Sequence, residues 1–219
     1  MPIDRKRELE ARKERMLSEH LMARGIRDAA VLRGMREVPR EAFLSPGMEP
    51  FAYDDGPLPI EAGQTISQPY IVAYMIEALE LLGQERVLEI GTGSGYAAAV
   101  LSRCAAQVFT VERIPSLAES ARDRLQELGY QNVTVHLGDG TLGWREHAPY
   151  DAIVVTAGAP DVPDELLEQL APGGRLVIPV GSTPHLQDLL RVRRTADGAL
   201  RREMLCPVRF VPLIGEQGW

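Results

Sequence analysis

The chain has 219 residues, 45% hydrophobic and 25% charged, enough to bury a sizeable core and better suited to one large domain than to two small ones. Its net charge of −7 and pI near 5.2 argue against a dedicated nucleic-acid binder, which would show a basic field. The opening MPIDRKRELEARKERML mixes both charges and holds no apolar leader, no run is long enough to span a membrane, and Cys104 and Cys206 lack metal-like spacing. A cytoplasmic protein with reduced thiols, and with neither membrane nor nucleic acid as partner, is the expectation. In chain order, Leu9, Met16, Leu17 and Leu21 recur at roughly helical spacing, predicting an amphipathic helix over 4–24 that Gly25 stops. A short helix over 28–37 follows. Segment 39–68 holds Pro39, Pro46, Pro50, Pro57 and Pro59 with several glycines, which predicts a long structured loop of the functional kind. From Pro69, the residues Ile71, Val72, Met75, Ile76, Leu79 and Leu82 mark one face of a helix ended by Gly83.

RVLEI (86–90), QVFTVE (107–112), VTVHL (133–137), DAIVVT (151–156) and RLVIPV (175–180) read as apolar strands, with helices predicted at 96–104, 115–128 and 164–170. The alternation predicts an α/β fold: a doubly wound, Rossmann-like parallel sheet with helices on both faces. DLLRVRRT (188–195), the turn ADG and LRREMLCPVRFVPL (200–213) predict an antiparallel addition at one edge. One domain, 1–219, then comprises an N-terminal helical extension with its loop (1–68), the core (69–181) and the C-terminal strands (182–219).

Ligands of such sheets bind beyond the carboxyl ends of the strands, where strand order reverses. There Glu89 precedes Gly91-Thr92-Gly93-Ser94-Gly95, whose glycines let the backbone turn and approach a ligand without a Cβ in the way. A bare strand-to-helix turn is the competing reading. The dinucleotide pattern G-x-G-x-x-G/A is broken by Tyr96, and no Gly-Lys-Ser/Thr phosphate loop occurs. The next strand ends on Glu112, about 20 residues past Gly91, where an acid can accept both hydroxyls of a ribose. The third ends in Gly138-Asp139-Gly140, where Asp139 either faces an adenine amino group or is a simple turn aspartate.

Together, E-x-G-x-G-x-G and the two strand-end acids resemble the S-adenosylmethionine-binding core of Rossmann-like methyltransferases. A sulfonium cation sits comfortably beside carboxylates such as Glu89, provided they stay ionised. Beyond that core, VPREAFL, PLPIEAGQTISQPYIVAYM, VLEIGTGSGY, PYDAIVVTAGAP, LAPGGRLVIPVG and VRFVPL resemble the protein-L-isoaspartate O-methyltransferase family from about residue 20 onward, GQTISQP being its distinctive segment. The resemblance implies transfer of the methyl of S-adenosyl-L-methionine to the free α-carboxylate of L-isoaspartyl, and in the family D-aspartyl, residues of damaged proteins. The ester then collapses to a succinimide that partly hydrolyses to normal aspartate. It also implies that Ser67 orients the acceptor carboxylate and that Thr65 and Ile66 cover the cofactor. Glu89, Gly91, Thr92, Gly93, Gly95, Glu112, Arg113, Gly138 and Asp139 are implied as cofactor positions, and 179–181 with VRFVPL as the frame of a peptide groove. Glu61 replaces a glycine common in the family, and the tail IGEQGW does not match securely.

Read by pattern alone, Ser67 or Gln68 before Pro69 also suits a helix cap. No histidine or acid is placed to make Ser67 a nucleophile, and His20, His136, His147 and His185 show neither metal nor triad spacing, so no metal is expected. Two other functions compete. One is a methyltransferase acting on a small molecule or RNA, weakened by the acidic balance. The other is a binding module that kept the fold, weakened by the intact Ser67 and glycine loop. A monomer is slightly favoured over an oligomer.

Overall fold

Local chemistry sets the ends of the N-terminal helices. The computed structural model describes residues 3–184 and 186–219, with side chains from residue 6 onward, so His185 lies outside the described residues. Helix α1 (Ile3–Arg15) widens into a π-turn over Met16–Leu21 and tightens into a 3₁₀ turn over Met22–Arg24. Gly25, at φ +102°, supplies the left-handed conformation that ends it. The wide turn brings Met16, Leu17 and Leu21 inward together, each at most 1% exposed. Helix α2 (Ala29–Glu37) starts where the Asp28 carboxylate accepts the Ala30 and Val31 amides at 2.8 and 2.9 Å.

Segment 39–68 is the structured loop expected, with internal order the sequence did not announce. It forms 3₁₀ turns at Arg40–Phe43, Glu49–Phe51 and Glu61–Gly63. It also forms a minimal antiparallel hairpin of β1 (Leu58–Pro59) and β2 (Thr65–Ile66), with Leu58 opposite Ile66. Helix α3 (Pro69–Ala78) is shorter than expected. Glu80 leaves it with φ +52°, its carboxylate held by Arg191 and Arg193, so no further turn carries Leu82 inward. Leu82 is 86% exposed, which corrects its expected place on the buried face.

The strands are β3 (Arg86–Ile90), β4 (Gln107–Glu112), β5 (Val133–Leu137), β6 (Tyr150–Val155), β7 (Leu170–Thr183), β8 (Leu186–Arg194) and β9 (Leu200–Val208). Helices α4 (Tyr96–Leu101), α5 (Pro115–Glu127) and α6 (Asp164–Glu168) connect them. They form one sheet in the order β5-β4-β3-β6-β7-β8-β9. Pairing is parallel from β5 to β7 and antiparallel from β7 to β9, as the patterning predicted. Chain order runs outward from β3 through β4 to β5, then returns to β3's other side with β6. That reversal opens a crevice at the carboxyl end of β3.

One face of the sheet packs Val87, Val108, Val154 and Val177 against α2, α3 and α4, with the N-terminal helix joining the same core. The other packs Leu88, Ile153 and Leu176 against α6 and Leu213. Each such fully buried aliphatic side chain contributes about 1.5–3 kcal/mol. Gly34 lets α2 approach closely, since a Cβ there would stand 3.3 Å from Val100.

Candidate active site

The glycine loop is stitched to the strands on both sides of β3. The Gly91 amide donates to Val111 O at 2.9 Å, and the Thr156 amide donates to Ile90 O at 2.9 Å. The Thr156 hydroxyl donates to Gly91 O at 2.8 Å. Gly91 stands at φ +94°, and a Cβ there would lie 2.4 Å from Thr156 Oγ1. Gly93, at φ +54°, faces Ile60 of the β1–β2 hairpin, where an added Cβ would stand 3.6 Å from the Ile60 side chain. Gly95 answers to packing: its missing Cβ would stand 3.3 Å from Leu125 of α5.

Beneath this loop lies a buried polar chain. Glu89 and Thr110 are register partners on β3 and β4, and the Thr110 hydroxyl donates to Glu89 Oε2 at 2.6 Å. Thr110 Oγ1 also lies 2.6 Å from Thr92 Oγ1. Glu89 is fully buried and its Oε1 has no partner. Burial, with the nearby Glu112 charge adding to it against the Thr110 hydrogen bond, pushes its carboxyl up to about 8. In this geometry Glu89 is largely protonated at neutral pH. The expectation of a carboxylate beside a sulfonium held only if Glu89 stays ionised, and desolvation, outweighing the one hydroxyl that favours charge, works against that condition.

Glu112 ends β4 with its carboxylate turned to the loop, accepting the Gly93 amide at 2.9 Å and the Ile114 amide at 3.0 Å. Arg113 beside it is exposed. The Gly138 amide donates to Glu112 O at 3.0 Å, which brings the ends of β4 and β5 together. Asp139 Oδ1 accepts the Thr141 amide at 2.9 Å and hydroxyl at 2.7 Å, and its Oδ2 accepts the Glu216 amide at 2.8 Å. Burial alone would raise this carboxyl; the Glu216 amide, the Thr141 donors and the Arg113 charge together hold it below the ordinary value.

The final segment, which the sequence left unmatched, therefore closes one side of the site. The Gln217 amide reaches Thr141 Oγ1 at 3.1 Å, and Trp219 Nε1 donates to Gly158 O at 2.9 Å. A Cβ on Gly215 would lie 2.1 Å from Asp139 Oδ1. Segments 158–159, 179–181 and 211–213 form a second wall: Ala159 N to Pro179 O 2.9 Å, Gly181 N to Ala159 O 3.0 Å, Gly158 N to Val211 O 2.8 Å, and Leu213 N to Gly158 O 2.7 Å. The buried Gln187 amide ties Phe210 N to this wall at 2.8 Å.

On the acceptor side, Thr65 is exposed, Ile66 is buried in the core and Ser67 is half-buried. Ser67 does not cap α3. The cap residue is Gln68, and no side chain closes that end. The Gln68 amide instead donates to Asp55 Oδ1 at 2.8 Å. Among the described residues nothing hydrogen-bonds the Ser67 hydroxyl, so it is uncommitted. His136, which lies against Gly138, and His147 are stacked on Trp144 and Phe109 at 4.5 and 4.4 Å. No three His, Cys, Asp or Glu among the described residues converge as a metal set. Burial pushes the Cys104 thiol up to about 12, which removes it as a nucleophile.

Sequence reasoning missed Thr110, Thr156, Ile60 and the tail. Thr110 was within reach: two residues before Glu112, it shares a face with Glu89 once the two strands pair. The tail's docking carried no local signal.

Known proteins share this sequence and fold. The family model "Protein-L-isoaspartate(D-aspartate) O-methyltransferase (PCMT)" matches residues 11–218. A relative from Geotalea uraniireducens, protein-L-isoaspartate O-methyltransferase 1, is 68% identical over 208 residues, covering 95% of each chain. One from Pelobacter propionicus, protein-L-isoaspartate O-methyltransferase 2, is 67% identical over 97% of this chain and 95% of its own. A solved protein-L-isoaspartate O-methyltransferase superposes with TM-score 0.84 at 32% identity, covering 94% of this chain and 67% of that one. A Plasmodium falciparum structure described as a putative protein of the same kind, in complex with S-adenosyl-L-homocysteine, gives 0.76 at 26% identity, covering 90% and 96%. With a match that runs through the glycine loop, the hydroxyl-bearing bend and the docked tail, the chain belongs to the protein-L-isoaspartate(D-aspartate) O-methyltransferase family.

Proposed function

We propose that this chain is a repair methyltransferase that esterifies the free α-carboxylate of L-isoaspartyl residues in damaged proteins, using S-adenosyl-L-methionine. The observation that carries the reading is the Ser67 hydroxyl, uncommitted among the described residues, directly after a hairpin whose Ile60 stands over Gly93 of the glycine loop, where a Cβ on Gly93 would meet it at 3.6 Å. The site fits such a cofactor. Its backbone at Gly91 and Gly93 is free of Cβ atoms, Glu112 is turned to the loop, and Glu89 Oε1 is a buried polar atom without a partner among the described residues.

Bound there, S-adenosyl-L-methionine supplies an electrophilic methyl group on a sulfonium. Gly91, Thr92, Gly93 and Gly95 shape the cradle, while Glu112 and Asp139 offer acceptors to ribose and adenine. Gly138 and Arg113 flank those acids, and Thr65 and Ile66 form the cover. Glu89 holds Thr110 and, through it, Thr92 in place. The acceptor carboxylate is ionised near neutral pH, since ordinary carboxyl values lie near 4. It is a competent nucleophile and no general base is needed. Ser67 donates its O–H to that carboxylate and fixes its approach, and the hairpin excludes water. Such positioning can remove about 7–11 kcal/mol of a barrier. The chemistry the cofactor would supply is methyl transfer to the carboxylate that Ser67 holds, the O–methyl bond forming as the methyl–sulfur bond breaks with its electron pair staying on sulfur.

Two free cysteines and the lack of any described helix apolar enough to cross a membrane support the cytoplasmic setting of this reading. The test pairs two peptides, identical except for an isoaspartyl or aspartyl linkage, with labelled S-adenosyl-L-methionine. A base-labile methyl ester on the isoaspartyl peptide alone supports the reading. Label in both peptides equally, or only in RNA or a small metabolite, overturns it.

A further inference from the structure

The bend that carries Ser67 is held by a closed ring of side chains. We infer that Asp55 and Arg24 are positioning residues for the acceptor reaction, aiming Ser67 by locking the start of α3 to the N-terminal helix; this rests on the function proposed above. Asp55 Oδ1 accepts the Gln68 side-chain amide at 2.8 Å, and Gln68 directly follows Ser67. The Arg24 guanidinium grips both carboxylate oxygens of Asp55, at 3.3 and 3.1 Å. The same guanidinium lies over the Tyr70 ring, 3.6 Å from its centre. Tyr70 stacks on Tyr74 at 5.7 Å, one turn further along α3. Arg24 thus touches Asp55 and Tyr70, Asp55 touches Gln68, and the first turn of α3 joins Gln68 to Tyr70. The ring closes around the residue after Ser67.

The geometry requires some such restraint. The Ser67 hydroxyl has no partner of its own among the described residues, and the side chain of Gln68, the cap residue, makes no capping hydrogen bond. Apart from Asp55, the Ser67–Gln68 bend is held by the two-residue hairpin behind it, where the Ile60 amide donates to Gln64 O at 2.9 Å, by the Val72 amide donating to Gln68 O at 3.2 Å, and by buried Ile66. Two-residue pairings are marginal alone. Arg24 ends the charged N-terminal helix and makes that helix the anchor from which the bend is held. Asp55 and Arg24 are each over a third exposed, at 35% and 41%, so the pair adds little to global stability and its effect belongs to alignment.

The test is a kinetic and thermodynamic cycle on the full chain with an isoaspartyl peptide. Asp55→Ala and Gln68→Ala should each lower kcat/KM for the peptide, by up to about a hundredfold if the reacting group is misplaced by about 1 Å. The double variant should match the single ones, because both cut the same link. Asp55→Asn, which keeps an acceptor for the Gln68 amide, should recover part of the loss. The Kd for S-adenosyl-L-homocysteine and the melting temperature should stay at parent values throughout. Losses that multiply in the double variant, an Asp55→Ala variant with parent kinetics, or a matching fall in cofactor affinity overturn the inference alone. A parent chain inactive on the peptide overturns both this inference and the function on which it rests.

Discussion

Glu89 illustrates how burial sets the character of a single residue. Its carboxyl stands near 8 in the folded chain against 4.5 when solvated. The stabilisation tied to its neutral form is fully present below the unfolded value and is lost as pH rises through the folded one. Replacing it with Gln removes that titration. The melting-temperature difference between Glu89→Gln and the parent should therefore shift in the variant's favour between about pH 5 and pH 8. A difference constant with pH would contradict the burial argument. At Gly91, a methyl group meets Thr156 Oγ1 at 2.4 Å and the backbone sits at φ +94°. Gly91→Ala should cost at least about 1–2 kcal/mol of stability from the left-handed conformation alone. It should also abolish cofactor binding, as chemical denaturation and calorimetry would show. The glycines and strand-end acids were legible in the sequence, because backbone freedom and charge at a strand tip follow from residue type. The protonation of Glu89 was not. It depends on how completely β4 and the loop cover it.

Among the elements, those with their own punctuation were the readable ones. Asp28 capping α2, Pro115 opening α5 and Gly25 closing the N-terminal helix are all local chemistry. Asp28→Ala should lower stability by about 1 kcal/mol, and with it the melting temperature by about 2–4 °C. An unchanged melting temperature would show that tertiary packing alone holds α2. Elements defined by partners were not readable. The β1–β2 hairpin is two residues a side, and only its closure over the glycine loop makes it a unit. Helix α3 stops early for a distant reason, the capture of Glu80 by Arg191 and Arg193. The C-terminal tail is likewise defined by what it touches. Gly215→Ala would push a methyl group into Asp139 Oδ1, so it should displace the tail and weaken cofactor binding. Isothermal titration against S-adenosyl-L-homocysteine checks this, and an affinity equal to the parent's would place the tail outside the site.

Across the whole molecule, the alternation of apolar strands and helices announced the parallel sheet, and the charged β8–β9 pair its antiparallel edge. Strand order was not written in any one segment. It arises because the chain returns to the far side of β3 with β6, and that reversal creates the crevice where Gly91, Glu112 and Thr156 meet. Under the proposed function, the chemistry needs alignment alone at every scale: a carboxylate already charged, a hydroxyl left free to hold it, and a fold that brings the two ends of the site together. The most direct measurement is single-turnover methyl transfer to an isoaspartyl peptide by the parent and by Ser67→Ala, alongside S-adenosyl-L-homocysteine affinity for both. Loss of one hydrogen bond to a charged group predicts a rate about ten- to a hundredfold lower. Cofactor affinity should stay within about twofold. An equal fall in rate and affinity, or an undiminished rate, would contradict the alignment mechanism.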